Sequence, residues 1–204
     1  MIKSCPLFLF FALSLVQSVL VGQGEWELEH AGNGVKVFVR AEANDDMSVR
    51  VETTAAVSAE SVLAVLDDAP SYPAWVHRCE AAYRIPGGTD NNYLYYSHID
   101  LPFPFQDKEV VARIDQSWSD GTLTRTILAE PDALPPNKGK DRLTTYEAEW
   151  KITPQPDGRV FITCTCRTEA GAGLPNWVRK EILTGGPAKT MENLVERLEG
   201  VARK

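Results

Sequence analysis

The sequence predicts an α+β fold in which a curved antiparallel sheet of about seven strands wraps round one long C-terminal helix and leaves an internal cavity between them. Three observations carry this. Alternating apolar and polar residues dominate the middle of the chain, short turns separate the alternating runs, and the spacing switches to threes and fours only near the C-terminus.

Val35, Val37 and Val39 line one face of a first strand, and Val49, Val51, Thr53, Ala55 and Val57 line one face of a second. Ser58 is suited to cap a short helix carrying Val62, Leu63, Val65 and Leu66, which Pro70 stops. Beyond the Pro86-Gly87-Gly88 turn, Asn92 to Asp100, Glu109 to Ser117, Thr122 to Leu128, Leu143 to Thr153 and Arg159 to Thr168 alternate again. They read as a five-strand meander, with Asp120-Gly121 and Asp157-Gly158 as its clearest turns. Pro175 suits the first turn of a helix on which Trp177, Val178 and Ile182 are followed by Met191, Leu194, Val195, Leu198 and Val201. Gly185-Gly186-Pro187 predicts a kink or short break there. Bending such a sheet round such a helix buries both apolar faces and creates a hollow.

With 204 residues, 44% of them hydrophobic, the chain suffices for one domain with one core, and no linker divides it. Residues 1–24 read as a secretory signal peptide: Lys3 supplies the positive start, Leu7 to Val16 the apolar run, and Gly22 or Gly24 the cleavage region. The run is short for a spanning helix, so residues 25–204 are expected as an exported, periplasmic or secreted domain, an uncleaved membrane anchor being the alternative. A formal net charge of −7 repels phosphate backbones and argues against nucleic acid as a partner.

Past the leader stand Cys79, Cys164 and Cys166, an odd number for a disulfide framework. Cys164 and Cys166 share a strand face, with no His or further Cys nearby to complete a metal site, so they read as buried apolar residues. No metal and no cofactor are expected. His30, His77 and His98 have no acid or nucleophile at a supporting spacing and read as structural or surface residues.

Several segments, in this order and spacing, resemble the START (StAR-related lipid-transfer) domain family, in the form of a bacterial exported member. They are Gly34 to Arg40; Val65 to Asp68 with Tyr72 and Trp75; Phe105 to Val111; Leu134 to Gly139 with Arg142; Trp150 to Pro154; and Gly173 to Val178. The resemblance implies a helix-grip fold holding a lipid or other hydrophobic molecule, and it does not imply catalysis. Two motifs depart from the family: its Asp-Pro-x-Gly is here Glu169 to Gly173, and its Arg-Asp is here Lys108-Glu109. The acid and base of the cholesterol-carrying members fall near Tyr95 and Ile114, so sterol is not implied.

Strand parity then gives the interior. Tyr93, Tyr95 and Ser97 share a face, as do Val110, Ala112 and Ile114; Tyr146, Ala148, Trp150 and Ile152; and Val160, Ile162, Cys164 and Cys166. The opposite sets carry Glu147, Glu149, Lys151 and Arg167, which are costly to bury. The candidate ligand contacts are therefore Tyr93, Tyr95, Val110, Ala112, Ile114, Tyr146, Trp150 and Cys164 on the sheet and Trp177 and Ile182 on the helix. The phenols and indoles stand out, since an orienting cavity needs a few donors among apolar walls. Arg113 and Asp115 are read as an exposed outward pair, and Pro131 to Lys140 and the Gly185-Gly186-Pro187 break as candidate gates.

The function that follows is binding, and transfer, of a hydrophobic small molecule by a non-enzymatic monomer with transient membrane contact. Two alternatives stand beside it. One is a cyclase-like or other enzyme acting on a ligand in the same cavity, which a strongly perturbed buried carboxylate or His would favour. The other is a module whose interior is filled and whose partner is a protein, which a closed interior would favour.

Overall fold

The computed structural model describes residues 24–42, 46–168 and 175–202. The leader and the Glu169 to Gly173 departure lie outside them. A single sheet of ten strands forms the body: β1 (Glu27–Gly32), β2 (Val35–Ala41), β3 (Met47–Ala55), β4 (Cys79–Arg84), β5 (Asn92–Ile99), β6 (Lys108–Ser119), β7 (Thr122–Ala129), β8 (Asp141–Arg142), β9 (Tyr146–Pro154) and β10 (Val160–Thr168). The spatial order is β1-β2-β3-β10-β9-β7-β6-β5-β4, with β8 added in parallel beside β6. The expected antiparallel sheet is therefore present with three more strands than the sequence suggested. β1 and β4 are edge strands and β8 is two residues long.

Helix α1 (Ala59–Asp67) starts where Ser58 accepts the Ser61 backbone N–H. It buries Val62, Val65 and Leu66 against β7 and β9. A 3₁₀ segment, Ala69–Ala74, follows at once, as Pro70 requires. The C-terminal helix comprises α2 (Asn176–Lys180), a π-helical turn (Glu181–Gly185) and α3 (Gly186–Ala202). The break expected at Gly185-Gly186-Pro187 is thus a wide turn just before it. The Gly186 N–H reaches the Glu181 carbonyl, and Pro187, which has no N–H to give, falls in the first turn of α3. Ala188, Met191, Leu194 and Leu198 of α3 are buried, and the helix packs on β2 and β3.

Register fixes which side chains share the concave face. One cross-strand row runs Val37, Val51, Cys164, Trp150, Arg125, Gln116, and a neighbouring row Val39, Val49, Cys166, Ala148, Ile127, Ile114, Tyr93. Asp120 and Gly121, at φ 49° and 75°, make the two-residue turn from β6 to β7. At Gly88 (φ 78°) a Cβ would lie 2.4 Å from the Asn92 carbonyl oxygen, so only glycine fits that turn. The expected Arg113–Asp115 pair does not form. Arg113 bonds Glu130 and the Asn92 side-chain oxygen, and Asp115 accepts from the Asn92 amide, because strand neighbours reach across more easily than along a pleat.

Candidate functional site

Tyr93, Tyr95, Val110, Ala112 and Ile114 are all buried on the concave face. Tyr146, Trp150, Cys164 and Cys166 share that face and pack against the core, yet each keeps accessible surface. Desolvation nonetheless drives the Tyr146 phenol and the Cys164 thiol well above their ordinary pKa values and the Cys166 thiol to about 11. Side chains that lie this deep and still have free surface mark the part of the interior that is not fully packed. The structure does not bring Trp177 to it: this ring is 58% exposed and stacks edge-on against Phe105, while the next residue, Val178, turns inward. Ile182 is half-buried in the π turn. Two shallow depressions of about 330 and 340 Å³ lie elsewhere, against the outward side chains of the sheet. One is lined by Lys36, Glu52 and Phe161 and the other by Arg40, Glu147 and Arg167.

One end of the interior is closed by a polar cluster that sequence reasoning missed. Arg125, 1% exposed, extends between Leu123 and Ile127 and donates to Asp67 at 2.6 Å, to Gln116 at 3.0 Å and to the Tyr93 hydroxyl at 3.0 Å. A charged residue inside a strand normally reads as outward; the apolar neighbours two positions either side were the available signal. Asp67, the last residue of α1, supplies the opposite charge that makes this burial tolerable. Tyr72, Trp75 and Tyr95 continue the cluster, with Tyr72 edge-on to Trp75 at 5.1 Å and to Tyr95 at 6.4 Å.

A second buried charge sits on the opposite face. Glu109 is fully buried and accepts from Arg142, Tyr96 and both the backbone and side-chain N–H groups of Asn137. Desolvation pushes its pKa up, but these hydrogen bonds outweigh that and hold the carboxyl at about 2. Arg142 also donates to the Leu134 and Pro135 carbonyls. The Pro-rich segment expected as a gate is thereby pinned to the outside of the sheet.

The closing helix is tied to the loop before β4. The His77 ring meets Glu181 at 2.7 Å, its backbone N–H donates to Thr190, and Asn193 donates to the Trp75 carbonyl. His98, on the outward face, meets Asp107 at 2.8 Å. Both pairings join residues from separate elements, so linear spacing could not reveal them. Neither imidazole lies on the concave face of the sheet. Among the described residues no group of His, Cys, Asp or Glu suits a metal ion.

Comparison with known proteins agrees with this architecture. A STAR-related lipid transfer protein of Xanthomonas axonopodis superposes with a TM-score of 0.77 at 26% identity, covering 85% of this chain and 98% of that one. Human StAR-related lipid transfer protein 5 has the same fold, with a TM-score of 0.73 at 18% identity over 87% of this chain and 88% of its own. An uncharacterised Pseudomonas aeruginosa protein is 27% identical over 172 residues, 83% of this chain and 85% of that protein. The family model described as polyketide cyclase / dehydrase and lipid transport matches residues 46–203. On that match and that fold, the chain belongs to the polyketide cyclase / dehydrase and lipid transport family, in its START-type helix-grip form.

Proposed function

We propose that this protein binds a lipid or similar hydrophobic molecule in the hollow between sheet and closing helix, and carries it without chemical change. The observation that carries the reading is the set Tyr146, Trp150, Cys164 and Cys166, deep on the concave face yet with surface free. Apolar surface moved from water into such a site favours binding by roughly 25 cal/mol per Å². Tyr93, Tyr95, Val110, Ala112 and Ile114 supply the packed wall behind it. A passive carrier is favoured over a catalyst because the buried acid–base pairs already bond one another. Arg125 holds Asp67, and Glu109 faces the other side of the sheet. The cyclase / dehydrase part of the family description is what speaks for catalysis.

Delivery needs contact with a membrane, and the aromatic rim at the start of the closing helix suits it. Phe103 is 94% exposed and stands near the Phe105–Trp177 pair, with Arg179 and Lys180 just beyond. We further propose that the chain acts as a monomer outside the cytoplasm after loss of residues 1–24. Native mass spectrometry of protein purified from its own host, followed by organic extraction, tests the carrier reading: a stoichiometric apolar adduct is expected. An interior that neither retains such a molecule nor takes one up overturns it. N-terminal sequencing tests export, with Met1 retained in a membrane fraction as the opposing result.

A further inference from the structure

The carrier reading leaves the ligand's head group open, and the hydrogen-bond inventory of the interior speaks to it. We infer that the preferred ligand is an uncharged molecule with a hydrogen-bond acceptor, an ester or ketone oxygen on an apolar body, and neither a carboxylate nor a phosphate. The inference rests on the carrier reading.

The interior offers donors without acceptors. Trp75 is 3% exposed, and its indole N–H is buried with no partner. Among the described residues the Tyr146 hydroxyl likewise has no hydrogen bond, although Tyr146 lies beside the rim of the cluster formed by Tyr72 and Tyr95. A buried donor is rarely left unmet, because each costs about 1–3 kcal/mol, so the Trp75 N–H, with the partly accessible and unbonded Tyr146 hydroxyl on the same aromatic cluster, marks where an acceptor belongs.

The interior also offers no free positive charge. Arg125 is the one buried cation on the concave face among the described residues, and Asp67, Gln116 and Tyr93 already take its hydrogen bonds. Arg84, at the sheet edge, lies over the Tyr93 ring but bonds the Thr89 carbonyl. An anionic head group would therefore either sit unpaired or break the Arg125–Asp67 pair, and either course is far more costly than docking a carbonyl. Neutral phenols and thiols, held neutral by burial, line the rest.

The test compares three ligands of equal chain length on the full mature protein at pH 8: methyl dodecanoate, ionised dodecanoate and dodecane, followed by quenching of tryptophan fluorescence. The ester is expected to bind at least about tenfold tighter than the carboxylate, the ratio for one well-made difference of about 1.4 kcal/mol. Tyr146→Phe should weaken the ester several-fold and leave dodecane unchanged. Trp75→Phe, which keeps an aromatic ring in place, should do the same if Tyr146→Phe folds poorly. Carboxylate binding as tight as the ester's overturns this inference while leaving the carrier reading intact. Binding of none of the three overturns both.

Discussion

Glu109 is held ionised where water does not reach, and its environment makes a definite pH prediction. Its folded pKa of about 2 lies below the ordinary 4.5, so the native state favours the deprotonated form. The stabilisation is fully present above pH 4.5 and is lost as pH falls from there towards 2. Urea denaturation across that range should show a loss of stability that Glu109→Gln lacks, the variant being already weaker at neutral pH. The Asp67–Arg125 pair gives a second test through its asymmetry. Asp67 has 39% of its side chain exposed and Arg125 only 1%. Removing the arginine lets the carboxylate return to water, whereas removing the carboxylate strands a buried cation. Asp67→Ala should therefore cost about 3 kcal/mol and Arg125→Met about 1 kcal/mol, read as denaturation midpoints. The reverse order would mean the cluster is held by packing and not by charge. These two residues also mark where sequence reasoning stopped: parity located the phenols of the concave face, and Leu123 and Ile127 hinted that Arg125 turns inward with them, but the charge that makes its burial tolerable is visible only once Asp67 of α1 is placed beside it.

At the scale of elements, the strands that were legible are those with one face buried and one wet. β2, β3, β7, β9 and β10 alternate, and β5 and β6 do so away from the stretch where Tyr96, Glu109 and Val111 are buried on the other face, so their period could be read. β1 is largely exposed on both faces, and β4 carries a register shift between Cys79 and Ala81, so neither shows a clean alternation. The closing helix was legible as an interrupted element, but the nature of the interruption was not, since a π turn depends on which carbonyl the Gly186 N–H selects. That turn separates the two glycines. A Cβ on Gly185 would meet the Glu181 Oε2 at 2.5 Å, a flexible atom that can swing away from His77. A Cβ on Gly186 would meet the fixed Glu181 carbonyl at 3.2 Å and the His77 ring at 3.3 Å. Gly185→Ala should leave the melting temperature nearly unchanged, because better helix propensity of about 1 kcal/mol offsets the lost contact, and should speed lipid release by loosening the helix from His77. Gly186→Ala should lower stability by about 1 kcal/mol net of the same propensity gain, measured by thermal denaturation. Equal effects of the two would argue that the turn is a plain hinge.

For the whole molecule, the pairing that matters most joins distant parts of the chain. β3, residues Met47–Ala55, has β10, residues Val160–Thr168, as its neighbour, so the sheet's centre is made from segments far apart in sequence. Loop closure over that distance must precede the reward of pairing, which places the protein among slow folders, with refolding on a time scale of roughly milliseconds to seconds in stopped-flow experiments. A chain ending before β10 should show no cooperative unfolding transition, since β3 and β9 would each lose a partner and the closing helix would be missing from β2 and β3. The same connectivity bears on synthesis. The first two-thirds of the polypeptide cannot complete the sheet while the rest is still being made, so the growing chain stays unfolded until its last strand emerges. If the chain is exported, as proposed, a channel that admits only extended polypeptide would meet no finished domain to unravel.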